Sequence, residues 1–504
     1  MRSQRAIKNL ITSVLQELTA VVCGLLLPRL VLSHFGSAYN GVTASIAQFL
    51  GCAALLRAGV GNATRAALYR PLAEGDMGAV SAIVNTAETF MRAAARLFAL
   101  GLLAFAALYP LLVRSEFEWR FSASLALILG VGTFVQYYFG SAYLMLLEAD
   151  QRLYVHHIIN IGTTAANTAV AALLILAGCS IHMVKLGSAL VFCLNPLFVR
   201  AYVRRHYALR PDAPPDAGLL SQRRDALFHE LAGFVSTNTD MIVLTVFTNV
   251  REVSVYSMYC LVTNAVQKLI STASASVGSA FGDLLARGER DTLETQFRRY
   301  ENAVFSVSVV CFACTAVLIT PFLSVYTRGV HDVSYHRPVF GCLMSAAAFF
   351  ACVRQPYKTL VYAMGHFRQT RGGAIAEAAV NLALSVALVL RFGLTGVAVG
   401  TLFAFAFRTV QYAYYLCRRV FGWRFSAFCK RLLVSAGNVA GIVACASRLP
   451  LSAVRGYGDW LLCACAAFAE SAAITLAFDL VFYRAETLGA LREFCKKWGD
   501  TLVD

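Results

Sequence analysis

The chain is a succession of apolar runs, each about long enough to cross a bilayer. They fall at 7–32, 41–66, 92–113, 121–147, 154–178, 182–203, 228–249, 254–280, 302–326, 339–363, 372–391, 394–417, 429–448 and 458–483. A helix needs about 20 apolar residues to span the hydrocarbon core, so the pattern predicts an all-α polytopic membrane protein with about 14 transmembrane helices. The connections are short, the longest at about 66–91, 204–227 and 281–301. Composition agrees: 58% of the 504 residues are hydrophobic and 14% charged, against about 25% charged in soluble domains. A soluble enzyme, a disordered chain and a water-soluble nucleic-acid binder are excluded.

The net charge of +16 reads as topology rather than as a nucleic-acid footprint. With the N-terminus inside, cytoplasmic segments hold 30 Lys and Arg, opposite loops hold 9, with Lys185 counted among them, and five lie within helices. That asymmetry predicts cytoplasmic termini and an even number of crossings. The N-terminal apolar stretch carries Gln16 and Glu17 and lacks a small-residue cleavage site, so it reads as a first helix rather than a secretory signal. Most of the 15 cysteines sit in apolar runs, where cysteine behaves as a small hydrophobe. Cys311 and Cys314 form a lone pair inside a span, and no metal-ligand pattern arises.

An internal repeat is visible. FGSAYNGV…GVGNATRAALYRPLAEGD in the first part of the chain echoes TNVREVSVYSMY…SVGSAFGDLLARGERD in the middle, with Tyr39 and Tyr256, and Gly61 and Gly278, each 217 positions apart. This predicts an N-lobe over 1–205, a C-lobe over 226–418, two additional helices over 427–484 and a cytoplasmic tail over 485–504. Lobes related in this way place substrate at the interface between repeats.

LPRLVLSHFGSAYNGVTASIAQF, LYRPLA and EAAVNLALSVALVLRFGLTGVAVGTLFAFAFR resemble the Wzx-type polysaccharide flippases of the MOP (multidrug, oligosaccharidyl-lipid, polysaccharide) superfamily, relatives of lipid II flippases and MATE antiporters. The resemblance implies a MATE-like two-lobe bundle in the cell inner (plasma) membrane. It also implies export of undecaprenyl-diphosphate-linked oligosaccharide units by alternating access. The implied partners are the lipid-linked oligosaccharide, membrane lipids, and the polysaccharide polymerase and glycosyltransferases, with no nucleic acid. No cofactor or metal is expected, and coupling to an H⁺ or Na⁺ gradient or to the membrane potential stays open. The alternatives are a multidrug or cation antiporter of the same superfamily and a membrane-embedded glycan polymerase. The latter would need a large extramembrane loop or paired catalytic carboxylates, so the expectation is a transporter and not an enzyme.

Five basic residues lie within apolar runs: Arg29, Arg57, Lys268, Arg354 and Arg408. Each costs about 2.5–3.5 kcal/mol at the bilayer centre on insertion scales, so each needs a partner or a wet cavity. Arg binds phosphate as a bidentate fork and Lys as a point charge, which makes all five candidates for a diphosphate-binding cavity. The LLRAGVG stretch at Arg57 and the position of Lys268 resemble sites where lipid II flippases use basic residues. Other roles compete: Arg29 could snorkel to headgroups, Arg354 precedes Gln355-Pro356 and could cap a broken helix, and Arg408 could pair with an acid. Glu377, Asn381 and Ser385 share a helix face, as do Asn264, Gln267, Lys268 and Ser271, and Asn160, Thr164 and Asn167. Such stripes serve either as interhelical glue or as a glycan lining. Asp240 and Glu377 are the candidate ion-coupling carboxylates, with Asn381, Asn264 and Gln267 as candidate glycan contacts. The connections at 77–91 and 284–299, with Arg92, Arg96, Arg287, Arg290, Arg298 and Arg299, are expected to be cytoplasmic loops, whose charges serve either as positive-inside anchors or to collect lipid substrate on the anionic leaflet.

Overall fold

In the computed structural model, residues 2–113, 116–210, 213 and 238–489 are described, with the side chains of residues 2–4, 6, 56–59, 62, 273–276 and 279 left aside. Every regular element among them is helical. The first part of the chain forms α1 (Arg2–Phe35), α2 (Ser37–Leu50), α3 (Ala54–Glu74), α4 (Met77–Leu108), α5 (Trp119–Phe139), α6 (Ser141–Ala149), α7 (Leu153–Leu176) and α8 (Ile181–His206). A short apolar helix, α9 (Asn238–Phe247), follows. The remainder forms α10 (Val250–Arg287), α11 (Arg290–Tyr326), α12 (Pro338–Val353), α13 (Gln355–Ala363), α14 (Phe367–Tyr415), α15 (Ser426–Ala446) and α16 (Tyr457–Phe482).

Ten segments among the described residues are long and apolar enough to cross a membrane. The difference from 14 has identifiable origins. The run α2–α3 and the helix α10 are not among the ten, and of the run at 228–249 only α9 is described. The runs 372–391 and 394–417 both fall in α14, which breaks at Gly393 (φ 54°, ψ −133°), a backbone conformation that costs glycine little. The second arm then returns along the first. A Cβ on Gly400 would lie 2.7 Å from Ser385 Oγ, and one on Gly396 would overlap the Leu388 carbonyl.

The burial pattern is that of a protein in lipid. Along α1, Ile7, Ile11, Leu15, Leu18, Val22 and Leu26 are exposed at helical spacing, while Asn40, Ser45, Asn167, Asn381 and Ser385 are buried. Polar groups turn inward when the surrounding solvent is hydrocarbon. The chain is therefore a multi-pass membrane protein.

Two connections expected as loops are helical. Residues 77–91 open α4 and residues 290–299 open α11. Apolarity marks the part of a helix inside the bilayer, not its full length, and these helices run on past it. The breaks are two residues each. Gly75 (φ 75°) and Gly288 (φ 72°) end α3 and α10 in the left-handed conformation, and Asp76 accepts hydrogen bonds from the Gly78 and Ala79 amides to start α4. Ser37 and Val250, Glu74 and Arg287, Gly75 and Gly288, and Met77 and Arg290 all differ by 213 positions. The recurrence of elements is thus offset one helical turn from the 217 that the matched tyrosines suggest.

The described residues form two compact units, one from 1–255 with 329–333 and one from 256–328 with 334–504. In the first, Val42, Ile46, Met91, Phe98, Tyr109 and Leu125 form a core among α2, α4 and α5. Gly41 lets α2 close onto the first turn of α10, where a Cβ would overlap the Val250 carbonyl oxygen. Beside it, Asn40 donates to Ser254 at 2.8 Å. In the second, Phe281, Phe297, Phe305, Tyr357, Tyr412 and Phe428 join α10, α11, α13, α14 and α15.

Candidate functional site

The charged centre of the second unit is built on the α12–α13 break. Arg354 sits between the two helices, ahead of Pro356, where the missing proline N–H ends one helix and starts the next. Its Nη1 donates to Glu377 Oε1 on α14 at 2.5 Å. Arg408, on the returning arm of α14, places Nε 3.5 Å from Glu377 Oε2. Arg408 is 2% exposed, and the Thr370 carbonyl (3.0 Å), Gln411 Oε1 (2.7 Å) and Tyr412 hydroxyl (2.8 Å) accept its other N–H groups. Gly373 makes room for it, since a Cβ there would overlap Arg408 Nη1. One carboxylate thus serves two guanidinium groups, and the cluster carries a surplus positive charge. Arg354 Nε is buried without a hydrogen-bond partner among the described residues, and its guanidinium lies 4.8 Å over the Phe405 ring.

Asn381 and Ser385 continue from Glu377 along the same face, both fully buried, with the Ser385 hydroxyl donating to Asn381 Oδ1 at 3.1 Å. Lys268 and Asn264 lie on one exposed face of α10, with Gln267 half-buried beside them. In the first unit Arg29 is half-buried on α1, just past Pro28. Arg57 lies on α3, its side chain outside the described residues. Asp240 is 4% exposed on α9, a helix whose Thr245 meets Ser45 of α2 at 2.8 Å.

Three charged centres escape a reading by apolar runs. Arg431 on α15 lies 3.6 Å from Glu301 on α11, and the Tyr357 hydroxyl donates to the same carboxylate. Asp150 gathers Arg5 (3.1 Å), Arg152 (2.7 Å) and the Tyr207 hydroxyl (2.5 Å). Burial, then the hydrogen bond to Asp150, push the Tyr207 hydroxyl pKa upward, so it stays a donor. Lys185, counted with the loops, lies inside α8 and lines a chamber in the first unit. Arg431, Glu301 and Asp150 all lie near the ends of apolar runs, where charge is usual and draws no attention. The sequence signal for Lys185 is its phase with the other polar residues of α8.

No family model matches the sequence, and no curated protein matches it. Solved structures do. The structure described as the lipid II flippase MurJ in an inward closed conformation superposes with a TM-score of 0.68 at 16% identity, covering 95% of this chain and 99% of that one. An inward-facing multidrug resistance MATE transporter of the MOP superfamily gives 0.64 at 14% identity, covering 81% and 96%. A MOP superfamily transporter from Pyrococcus furiosus, described as having a binding pocket of reverse polarity that suggests a different function, gives 0.60 at 13%, covering 83% and 96%. These neighbours are transporters or flippases rather than enzymes. The chain has the MATE- and MurJ-like fold of MOP superfamily transporters.

Proposed function

We propose that the chain is a Wzx-type flippase of the inner membrane, exporting undecaprenyl-diphosphate-linked oligosaccharide units by alternating access for surface polysaccharide synthesis. A polysaccharide polymerase and glycosyltransferases would act beside it. The observation that carries this reading is the surplus of buried positive charge: Arg354 and Arg408 share the single carboxylate of Glu377. A lipid diphosphate is a dense dianion, and guanidinium forks in a low-dielectric setting suit it. The likeness to a lipid II flippase over nearly the whole length supports the same class of cargo.

Arg57, Lys268 and Arg29 complete the proposed set of cations, with Asn264, Gln267 and Asn381 as proposed glycan contacts. Glu377 is engaged by two arginines, which favours the membrane potential over a proton carried on that carboxylate. An outward-moving anion gains about 2.3 kcal/mol per charge per 100 mV, inside negative. Asp240 is then the carboxylate proposed for any H⁺ or Na⁺ coupling.

The MATE likeness favours a second reading, multidrug or cation efflux. A site for cations needs a carboxylate free to meet them, and Glu377 is not free. The deciding experiment is a lipid-linked glycan flipping assay with Arg57→Ala and Lys268→Ala at wild-type abundance. Loss of export is expected. Full export by both variants overturns the cation clamp, and drug resistance on overexpression without a glycan defect on deletion replaces the flippase by the efflux reading.

A further inference from the structure

We propose that the first unit contains a binding site of its own, a polar chamber among α1, α5, α7 and α8 that takes a hydroxylated anion of the sugar-acid kind. The chamber has a volume of about 450 Å³, within the range of small-molecule sites. Its polarity comes from helical phase. On α8, Lys185, Ser188 and Asn195 share one face, and on α7, Asn160 and Asn167 share another. The two faces meet across the chamber, with Thr133 and Gln136 of α5 beside them.

One end of the chamber is satisfied internally. Asn195 Nδ2 donates to Asn160 Oδ1 at 3.3 Å and to Thr163 Oγ1 at 3.2 Å. That contact fixes the register of the antiparallel α7–α8 hairpin. Seven residues further along, the same register sets Asn167 level with Ser188, and Lys185 lies about one turn beyond. At this end nothing among the described residues completes the bonding. Asn167 is 5% exposed and Ser188 is 8% exposed. Asn167 Oδ1 and Ser188 Oγ are buried without hydrogen-bond partners among the described residues. Among the described residues Lys185 has no hydrogen bond or ion pair either, and no Asp or Glu of that set lines the chamber.

A buried acceptor, a buried hydroxyl and a half-buried lysine, all open to one space, specify what would fill it. The ammonium calls for an anion. The Asn167 carbonyl oxygen calls for a donor, which a bare inorganic anion lacks and a sugar hydroxyl supplies. A carboxylated sugar ring offers both, and the absence of any carboxylate in the lining disfavours a metal cation or an amine. Such a sugar acid reaches the protein either free in water or as the acidic residue of a lipid-carried glycan.

The test is calorimetric titration of the full chain in lipid nanodiscs with glucuronate, glucose and chloride, and with octyl glucuronide against octyl glucoside. Glucuronate is expected to bind, with glucose and chloride at least tenfold weaker. Lys185→Met is expected to weaken glucuronate at least tenfold while leaving the thermal midpoint at or above wild type, because it removes a half-buried charge with no ion-pair partner among the described residues. Lys185→Arg is expected to retain binding, and Asn167→Leu to weaken glucuronate without creating a preference for chloride. Tighter binding of octyl glucuronide than of glucuronate assigns the ligand to a lipid-carried glycan, and equal binding assigns it to a free sugar acid; either supports the site. No glucuronate heat, equal heats in wild type and Lys185→Met, or a chloride affinity matching glucuronate overturns the proposal. The result stands apart from the flipping assay, which reads other residues.

Discussion

Replacing Glu377 by Gln tests whether the second unit is organised around one shared carboxylate. The two arginines lose different amounts. Arg408 keeps the Thr370 carbonyl, Gln411 and the Tyr412 hydroxyl. Arg354 loses the negative charge of its one side-chain acceptor, which sits at 2.5 Å, and keeps at most a neutral amide oxygen there and the Phe405 ring. Removing one member of a buried ion pair costs about 3–5 kcal/mol because the other charge stays buried. The Arg354 side chain is 19% exposed and that of Glu377 8%, so solvent screens the loss little. We expect Glu377→Gln to cost about 3–5 kcal/mol, nearly all through Arg354. Arg354→Gln in the same background deletes the orphaned charge and is expected to restore at least about half of that, giving a coupling energy well above the 0.5 kcal/mol scatter of independent sites. Arg408→Gln in that background leaves Arg354 stranded and is expected to restore nothing. The assay is denaturant unfolding in mixed micelles of wild type, the single variants and both doubles. A Glu377→Gln cost below about 1 kcal/mol, the worth of an exposed pair, or equal rescue by both arginine variants would refute the reasoning.

Two further outcomes follow from the first unit. The Asp332 carboxylate accepts from the Ser37 amide at 2.8 Å and the Ser37 hydroxyl at 2.7 Å, supplying the N-terminal cap that Gly36 lacks for α2. Asp332→Ala is expected to cost about 1–2 kcal/mol, with Asp332→Asn recovering part because it keeps an acceptor but not the charge; unchanged unfolding of the alanine variant would count against the cap. Gly41→Ala sets a methyl against the Val250 carbonyl oxygen, an overlap that only a backbone shift relieves, so a loss of about 1–3 kcal/mol is expected. A thermal midpoint within a degree of wild type would show that α2 and α10 can separate without cost.

What the sequence discloses is set by the solvent. In a bilayer the crossing segment of each helix must be apolar, so spans are legible, and even the break at Gly393 shows as a gap between two runs in 372–417. Helix ends outside the hydrocarbon face water and carry no such mark, which is why α4 and α11 begin well before their apolar runs. Intramembrane charges are equally legible as a set, because each is costly. Their partners are not, since pairing depends on how helices face one another. Nothing local to Arg354, Glu377 or Arg408 says that all three meet while Lys268 lies on an exposed face of α10.

Lys185 shows where a one-dimensional charge count loses information. Four residues from the start of α8, it is indistinguishable by position from an end-of-helix lysine that snorkels to headgroups. Its phase is different. Lys185, Ser188 and Asn195 recur at spacings of three and seven, and on the preceding helix Asn160 and Asn167 recur at seven. A snorkelling lysine requires no polar companions on its own face and none on the next helix. Two polar faces on consecutive antiparallel helices have to meet or both face lipid, and the second costs more with every residue added. Phase between neighbouring helices, rather than the charge of either alone, therefore separates a chamber from an anchor.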